Sequence, residues 1–149
     1  MKSRYGLEIR AATAAEAPGL AALLESVGRP VSARDLAERL EALGHEAGTV
    51  LVALEWGPPS GVVVLHWYRT LEAAQRTAAI TALLVGPDAR RRGIGRLLIK
   101  AAAQAARVAG CDALEVRVAP GDEDLRGFCL ATGFAEVGAS FSRGLRKKG

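Results

Sequence analysis

The sequence is poor in aromatic residues, and it has no long apolar run. Aromatic residues make up 5% of its 149 residues, whereas proteins that bind single-stranded nucleic acids place aromatic side chains among basic ones. Because aromatic residues are scarce, nucleic-acid binding is the least favoured of the functions that the sequence allows. A transmembrane helix needs about 18 consecutive apolar residues, and no such run is present, so we expect no membrane segment. Residues 1–10 lack the apolar stretch of a secretory signal, so we expect no export signal.

Cysteines are equally scarce, since Cys111 and Cys129 are the only two. Two cysteines far apart in a chain without an export signal favour reduced thiols and a cytoplasmic protein over a disulfide framework. Half of the residues are apolar and 24% are charged. These values are typical of one packed core, so we predict a single domain over residues 1–149.

Hydrophobic periodicity predicts an alternation of strands and helices. The predicted strands cover residues 5–12, 49–56, 61–68, 78–85, 113–119 and 134–145, and the predicted helices cover residues 18–27, 32–43, 94–109 and 123–132. The second and third strands form a hairpin around a turn of sequence Gly-Pro-Pro-Ser. The fourth strand is apolar throughout, which is typical of a strand buried on both faces. This order predicts an α/β domain.

A basic loop follows the fourth predicted strand and leads into a helix. Its residues are Arg90, Arg91, Arg92, Gly93, Ile94, Gly95 and Arg96. A helix start leaves about four backbone N–H groups unpaired and carries partial positive charge. The two glycines let a ligand approach the backbone closely, and the arginines add charge-assisted hydrogen bonds. The loop therefore predicts an anion-binding site that suits a pyrophosphate.

Two other phosphate-binding motifs fail at specific residues. A Walker A loop requires Lys and then Ser or Thr after its last Gly, and Arg96-Leu97 stand there instead. The dinucleotide fingerprint requires a third Gly three residues after the second, and Leu98 occupies that position. We therefore expect neither a nucleoside triphosphatase nor a dinucleotide-binding fold.

Two segments of the chain match one family pattern. The first is Val85-Gly86-Pro87 followed by residues 90–95, which fit Arg or Gln, two residues, Gly, one residue, and Gly or Ala. The second is Phe-Cys-Leu-Ala-Thr-Gly-Phe at residues 128–134, near the pattern aromatic-Tyr-x-x-x-Gly-Phe. Together they resemble the GNAT superfamily of N-acetyltransferases. The resemblance implies a single-domain α/β fold with a mixed central sheet, flanking helices and a splay between the fourth and fifth strands.

The resemblance also implies acetyl-CoA as co-substrate, bound in the splay, and no metal. Backbone groups of Leu83, Leu84 and Val85 would pair with its pantetheine arm, and residues 90–96 would hold its pyrophosphate. Asp122 stands where the family commonly has an Asn near the cofactor; it either accepts from pantetheine or caps the following helix. The implied reaction is transfer of an acetyl group to a primary amine of a small molecule or protein by direct attack.

The catalytic residues are less clearly indicated. Members of the family often place a Glu base on the strand before the loop, but residues 78–85 contain no carboxylate and no histidine. His66, on the neighbouring strand, is the candidate base, since imidazole ordinarily titrates near neutral pH; the alternative is a hydrogen-bonded structural histidine. Cys129 occupies the position of the family's Tyr acid. It is either a proton donor or a packed thiol.

Three functions remain open from the sequence. The first is a catalytic N-acetyltransferase, and the second is a non-catalytic acyl-CoA-binding module, suggested by the missing strand carboxylate and the missing Tyr. The third, nucleic-acid binding, is ranked last. We expect an amine acceptor as partner, no nucleic acid and no membrane, with a homodimer on the C-terminal strands by analogy. Trp67 and Tyr68 either line the acceptor pocket or pack in the core, and Glu72 either selects a cationic acceptor or is a solvated loop residue.

Overall fold

The structure is a computed structural model that describes residues 6–90 and 92–146. Its chain separates into two compact units, residues 1–117 and residues 118–149. The prediction of one domain over the whole chain stays a prediction.

The first unit is built around a five-stranded sheet, as far as the described residues go. Its strands are β1 (Glu8–Ala11), β2 (Gly48–Leu54), β3 (Gly61–Tyr68), β4 (Arg76–Val85) and β5 (Cys111–Val116), and its helices are α1 (Ala17–Ser26), α2 (Ala33–Leu43) and α3 (Ile94–Val108). The strands lie in the order β1-β2-β3-β4-β5. All neighbours are antiparallel except β4 and β5, which are parallel. The mixed sheet with flanking helices is therefore confirmed, and so is the β2–β3 hairpin.

Side-chain oxygens begin the first two helices. Thr13 Oγ1 accepts from the backbone N–H of Ala15 at 3.3 Å and starts a short 3₁₀ turn that leads into α1. The Glu16 carboxylate, in the same turn, pairs with Arg10 at 2.8 Å. Ser32 Oγ accepts from the N–H of Asp35 at 3.1 Å and so caps α2.

Two apolar clusters form the core, one on each face of the sheet. The cluster under α3 includes Val63, Leu65, Ala78, Ile80, Ile94 and Leu98. The cluster under α1 and α2 includes Leu20, Leu23, Leu40, Val50, Val52 and Val62. Successive residues of β3 point to opposite faces, so Val62 and Val63 enter different clusters. Burying each large side chain contributes about 1.5–3 kcal/mol, which fixes the two faces and hence the register of the strands.

The second unit contains one helix among its described residues, α4 (Glu123–Ala131). The strand predicted at residues 134–145 is wrong, because no strand forms there within the described chain. The large apolar residues Val137, Phe141 and Leu145 are all exposed, so they bury little of the apolar surface that would stabilise a strand. Glycines 138 and 144 further weaken a strand, since glycine loses the most backbone freedom on ordering. β5 also ends at Val116, three residues before the predicted end.

Candidate functional site

The fourth and fifth strands separate part of the way along the sheet. Their ladder runs from Arg76 opposite Cys111 to Ile80 opposite Val116. The backbone N–H of Arg117 still donates to the carbonyl of Ile80, at 3.2 Å. Beyond this point β4 continues to Val85 with no strand of the described residues on that side. The predicted splay between the fourth and fifth strands is therefore present.

A β-bulge lies where the splay begins. In the β3–β4 ladder Leu65 is opposite Ile80, whereas Val64 is opposite Ala82, so Thr81 is an extra residue on β4. Ile80 is buried under α3, and Thr81 is exposed. A bulge bends its strand and redirects a side chain. The apolar sequence of β4 predicted burial on both faces. This prediction is wrong at Thr81, which is exposed.

The bulge residue Thr81 is hydrogen-bonded to His66. Thr81 Oγ1 lies 3.1 Å from His66 Nε2, and the other ring nitrogen, Nδ1, lies 3.9 Å from Glu46 Oε1. The His66 side chain is 30% exposed, so a ligand on this face can reach the ring. No local pattern singles out Thr81 or Glu46. Their proximity depends on the register of the strands and on the turn before β2.

Gly48 lets the backbone of β2 pass close to His66. It pairs with His66 in the ladder, and a Cβ at Gly48 would lie 2.2 Å from the carbonyl oxygen of Leu65 and 3.1 Å from His66 Cα. Its φ of 158° is also one that residues with a side chain rarely adopt. Glycine is therefore required here, and it fixes the position of the strand that carries the imidazole.

Tyr68 and Glu115 meet across β4 on the same face as His66. The phenol of Tyr68 donates to Glu115 Oε1 at 3.1 Å. Burial raises the pKa of Tyr68, as do the hydrogen bond and the charge of Glu115, and the nearby charge of Arg117 opposes them. Trp67 points to the opposite face, where it packs against the cluster under α3. Of the two aromatic residues, only Tyr68 is thus available to an acceptor on this face.

The basic loop leads into α3 by way of a left-handed glycine. Gly93 precedes the helix with φ 77° and ψ 11°, and no side chain of the described residues caps the helix. The N–H of Leu97 makes the first helical bond, to the Gly93 carbonyl at 3.0 Å. The N–H groups of the first turn therefore lack a partner within the helix. Ile94 is buried and anchors the turn, and Arg91 lies outside the described residues.

The remaining predicted cofactor residues of the first unit lie on either side of this turn. Arg92 forms an ion pair with Glu55, which follows β2. Arg90 and Arg96 are exposed. Leu83 and Val85 pack against the cluster under α3, and Leu84 packs against the other cluster. The Glu55 contact was not foreseen, because nothing in the sequence marks that carboxylate as the one next to the loop.

Asp122 and Cys129 belong to the second unit. Asp122 Oδ1 accepts from the N–H of Leu125 at 3.1 Å, so it caps α4. Cys129 is 7% exposed, and burial raises the pKa of its thiol, with a smaller contribution from the charge of Asp122. Within this unit Cys129 is a packed thiol.

The described residues contain neither a metal-binding cluster nor a membrane-spanning helix. No group of three or more His, Cys, Asp or Glu residues is placed to hold a metal ion. None of the helices in residues 6–90 and 92–146 is both long and apolar enough to cross a membrane.

Comparison with known proteins agrees with this geometry. Residues 18–134 match the model of the acetyltransferase (GNAT) family. No curated protein is similar enough in sequence to count as a match. A protein of Arthrobacter sp. FB24, provisionally assigned as an acetyltransferase, is 30% identical over 93% of this chain and 96% of its own, with a TM-score of 0.77.

Two further solved structures share the fold. A protein of Agrobacterium tumefaciens str. C58 with the same provisional assignment is 25% identical over 91% of this chain and 98% of its own, with a TM-score of 0.80. An aminoglycoside acetyltransferase from an uncultured soil metagenomic sample, solved with sisomicin, is 22% identical over 95% of this chain and 97% of its own, with a TM-score of 0.77. The family match, which covers most of the chain, together with the splayed sheet shows that this protein is an N-acetyltransferase of the GNAT family.

Proposed function

We propose that this enzyme transfers the acetyl group of acetyl-CoA to a primary amine of a small molecule or protein, by direct attack of the amine. The observation that carries the proposal is the hydrogen bond between His66 and Thr81 at the point where the splay begins. It holds a candidate base beside the only part of the β4–β5 edge that is open among the described residues.

The residues around α3 fit a pyrophosphate. The first turn of the helix offers unpaired N–H groups and a partial positive charge, and Gly93 and Gly95 leave space for a close approach. Arg90 and Arg96 are exposed and free to add charge-assisted hydrogen bonds, whereas Arg92 is already paired with Glu55. The pantetheine arm would then follow β4 from Val85 towards Thr81, pairing with backbone groups of residues 83–85.

This path would bring the thioester to the bulge. The ladder between β4 and β5 closes at Ile80, so a ligand entering from the loop cannot lie between the strands any further. The acceptor amine must then approach from a face of the sheet. α3 covers one face. On the other face α1 and α2 cover part of the sheet but leave His66 and Tyr68 partly exposed, so we place the acceptor beside these two residues.

The proposed reaction is a single displacement. The neutral amine nitrogen attacks the acetyl carbonyl carbon, the C–N bond forms, the C–S bond breaks, and CoA leaves as its thiolate. His66 takes the proton that the amine loses, and solvent protonates the thiolate. Glu46, 3.9 Å from His66 Nδ1, stabilises the imidazolium that forms. Thr81 holds the ring in its orientation.

A measurement of thiol release tests the proposal. We would follow free CoA with a panel of primary amines and acetyl-CoA, and record the thermal stabilisation that each component gives. Release that depends on the amine, and falls in His66→Ala, supports the proposal. Binding of acetyl-CoA without thiol release for any amine would contradict it and would favour the alternative, a non-catalytic acyl-CoA-binding module.

A further inference from the structure

Glu115 on β5 lies on the face of the sheet that carries His66, where we place the acceptor. Its carboxylate accepts a hydrogen bond from Tyr68 on β3, two strands away. The reaction described above does not use this pair. We propose that Glu115 binds a second cationic group of the acceptor, so that diamines and polyamines are preferred over monoamines. The inference rests on the proposed function and adds the class of acceptor to it.

The position of Glu115 relative to His66 follows from the strand register. His66 is opposite Ala79 on β4, and Ala79 is opposite Glu115 on β5, so the three residues form one row across the sheet. Neighbouring strands are about 4.8 Å apart, which puts the Cα atoms of His66 and Glu115 about 10 Å apart. An amine reacting beside the imidazole would therefore have its second ammonium, a few carbons away, within reach of the carboxylate.

Tyr68 reaches Glu115 diagonally across β4. Tyr68 is opposite Thr77 in the β3–β4 ladder, and Glu115 is opposite Ala79 in the β4–β5 ladder, so the phenol crosses β4 from one row to the next to donate at 3.1 Å. The small side chain of Ala79 leaves Glu115 without a bulky neighbour in its own row on β4. The hydrogen bond from Tyr68 restricts the position of the Glu115 carboxylate.

The Glu115 carboxylate can still accept hydrogen bonds from a ligand. An ionised carboxylate has about four lone-pair sites, and the phenol of Tyr68 uses one of them, on Oε1. Glu115 is exposed, so an acceptor can reach the remaining sites. An ammonium donates up to three hydrogen bonds and carries the complementary charge.

Two carboxylates and one guanidinium lie around the position proposed for the acceptor. Arg117 lies one residue beyond the end of β5 and acts electrostatically on Tyr68, so a positive charge is close by and opposes a cation there. Glu46 adds a second carboxylate on the His66 side. Among these three groups the two carboxylates outnumber the guanidinium, and Glu115 is the carboxylate farther from the imidazole. An acceptor with one ammonium can use only one of the two carboxylates at a time.

A comparison of matched amines tests the proposal. We would measure kcat and KM for unbranched α,ω-diamines of about three to six carbons and for monoamines of equal length, a range set by the row spacing. We expect kcat/KM to favour the diamine by about tenfold or more, mainly through KM. In Glu115→Gln this ratio should fall towards one, with kcat for the diamine within about threefold of the wild type. Glu115→Asp should restore part of the preference.

Two further variants separate recognition from structure. Tyr68→Phe removes the hydrogen bond and should lower the diamine preference by about fivefold, the effect of one hydrogen bond. Glu41→Gln makes the same chemical change on an exposed carboxylate of α2 and should leave the preference unaltered. Thermal unfolding of each variant checks that the fold is retained.

The outcomes distinguish this inference from the proposed function. Equal kcat/KM for diamines and monoamines in the wild type, or an unchanged preference in folded Glu115→Gln, would overturn the inference, while acetyl transfer to monoamines would still support the proposed function. A preference for acceptors that carry a carboxylate would point to Arg117 and would also overturn it. If no amine releases thiol, the proposed function fails and the inference fails with it.

Discussion

His66 Nε2 lies 3.1 Å from Thr81 Oγ1, and this hydrogen bond joins β3 to β4 at the bulge. β4 itself supplies no carboxylate, so the base that we propose comes from the neighbouring strand. Glu46 lies on the other side of the ring, at 3.9 Å. Both ring nitrogens thus face a partner, which restricts the orientation of the imidazole.

The role of His66 as base is tested by its removal. We expect His66→Ala to lower kcat/KM by about tenfold to a thousandfold, because the amine then has no positioned proton acceptor. The affinity for acetyl-CoA, measured by calorimetry, should stay the same. In the wild type, kcat/KM should rise with pH through the neutral to weakly basic range, and this rise should change in the variant.

Thr81→Val is the matched control for this prediction, since it keeps the shape of the side chain and removes the hydroxyl. Losing one hydrogen bond should cost about fivefold in kcat/KM, less than losing the imidazole. If His66→Ala left the pH profile unchanged, His66 would be a structural histidine, and solvent or an unrecognised carboxylate would be the base.

The glycine opposite His66 gives a prediction about stability. Gly48→Ala would place a Cβ 2.2 Å from the Leu65 carbonyl oxygen, so the two strands must move apart. We expect the free energy of unfolding to fall by about 1–3 kcal/mol, together with activity, because His66 moves with its strand. Gly57→Ala is the control. The φ of Gly57 is also positive, at 75°, but a Cβ added there has no heavy atom within 4 Å beyond its chain neighbours. Equal losses in the two variants, by urea denaturation, would contradict the steric explanation.

The cofactor loop is tested at Gly95. We expect Gly95→Asp to abolish acetyl-CoA binding in calorimetry while the fold survives, because the added carboxylate faces the site proposed for the pyrophosphate. Gly95→Asn has almost the same shape without the charge and should retain more affinity. Gly93→Asp should also abolish binding, but its φ of 77° strains any side chain, so folding must be checked first. Unchanged affinity in folded Gly95→Asp would show that the loop is assigned wrongly.

The sequence predicted the elements well where hydrophobic period and cap residues agreed. The β2–β3 hairpin, the cap at Ser32 and the amphipathic α3 each follow from a local pattern. The strand predicted at residues 134–145 failed although its apolar residues alternate, because Ala135, Val137, Ala139 and Phe141 are all exposed and bury little apolar surface. An alternating pattern is a reliable guide only where its apolar face is also covered.

The arrangement of the candidate site could not be read from the sequence, because it depends on register. Tyr68 and Glu115 are 47 residues apart and meet only after three strands have aligned. One bulge residue decides that Thr81, and not a neighbour, faces His66. No local pattern in an apolar strand marks the position of a bulge. The loop was easier to predict, since a helix start and two glycines form an anion site by themselves.

The raised pKa of Tyr68 predicts how the phenol behaves in alkaline solution. Burial and the charge of Glu115 disfavour the phenolate, so the folded protein holds this proton more tightly than the unfolded chain. The stabilising contribution is thus fully present below the ordinary pKa of tyrosine, about 10, and is lost as the pH rises through the higher folded value. Subtracting the ultraviolet titration of Tyr68→Phe from that of the wild type isolates Tyr68.

We expect Tyr68 to ionise above the ordinary tyrosine range in that difference titration, and Glu115→Gln to move the ionisation back down. Arg117→Gln should move it further up, because the guanidinium opposes the shift. A midpoint at or below that of a free tyrosine would show that the phenol does not make the hydrogen bond to Glu115 in solution.

The last prediction concerns Cys129, which stands where the family has its Tyr acid. Burial raises the pKa of this thiol, so it holds its proton more firmly than an exposed cysteine and is a weaker acid. A CoA thiolate is also a good leaving group, since its conjugate acid is far stronger than an alcohol. We therefore expect Cys129→Ala and Cys129→Ser to keep kcat within about tenfold of the wild type, with packing as the role of the thiol. Cys129→Tyr introduces the family's residue and should raise kcat.

Rate and affinity must be measured together to distinguish packing from catalysis. A packing role predicts that Cys129→Ala lowers the melting temperature, because a buried side chain is shortened, while kcat changes little. A role as acid predicts the reverse: kcat falls by more than about a hundredfold while the affinity for acetyl-CoA stays intact. Cys129→Ser distinguishes the packing role from the acid role further. It keeps a side chain of similar size that can donate a proton, but it puts a hydroxyl into an apolar site. It should be the less stable of the two variants and still retain most of kcat.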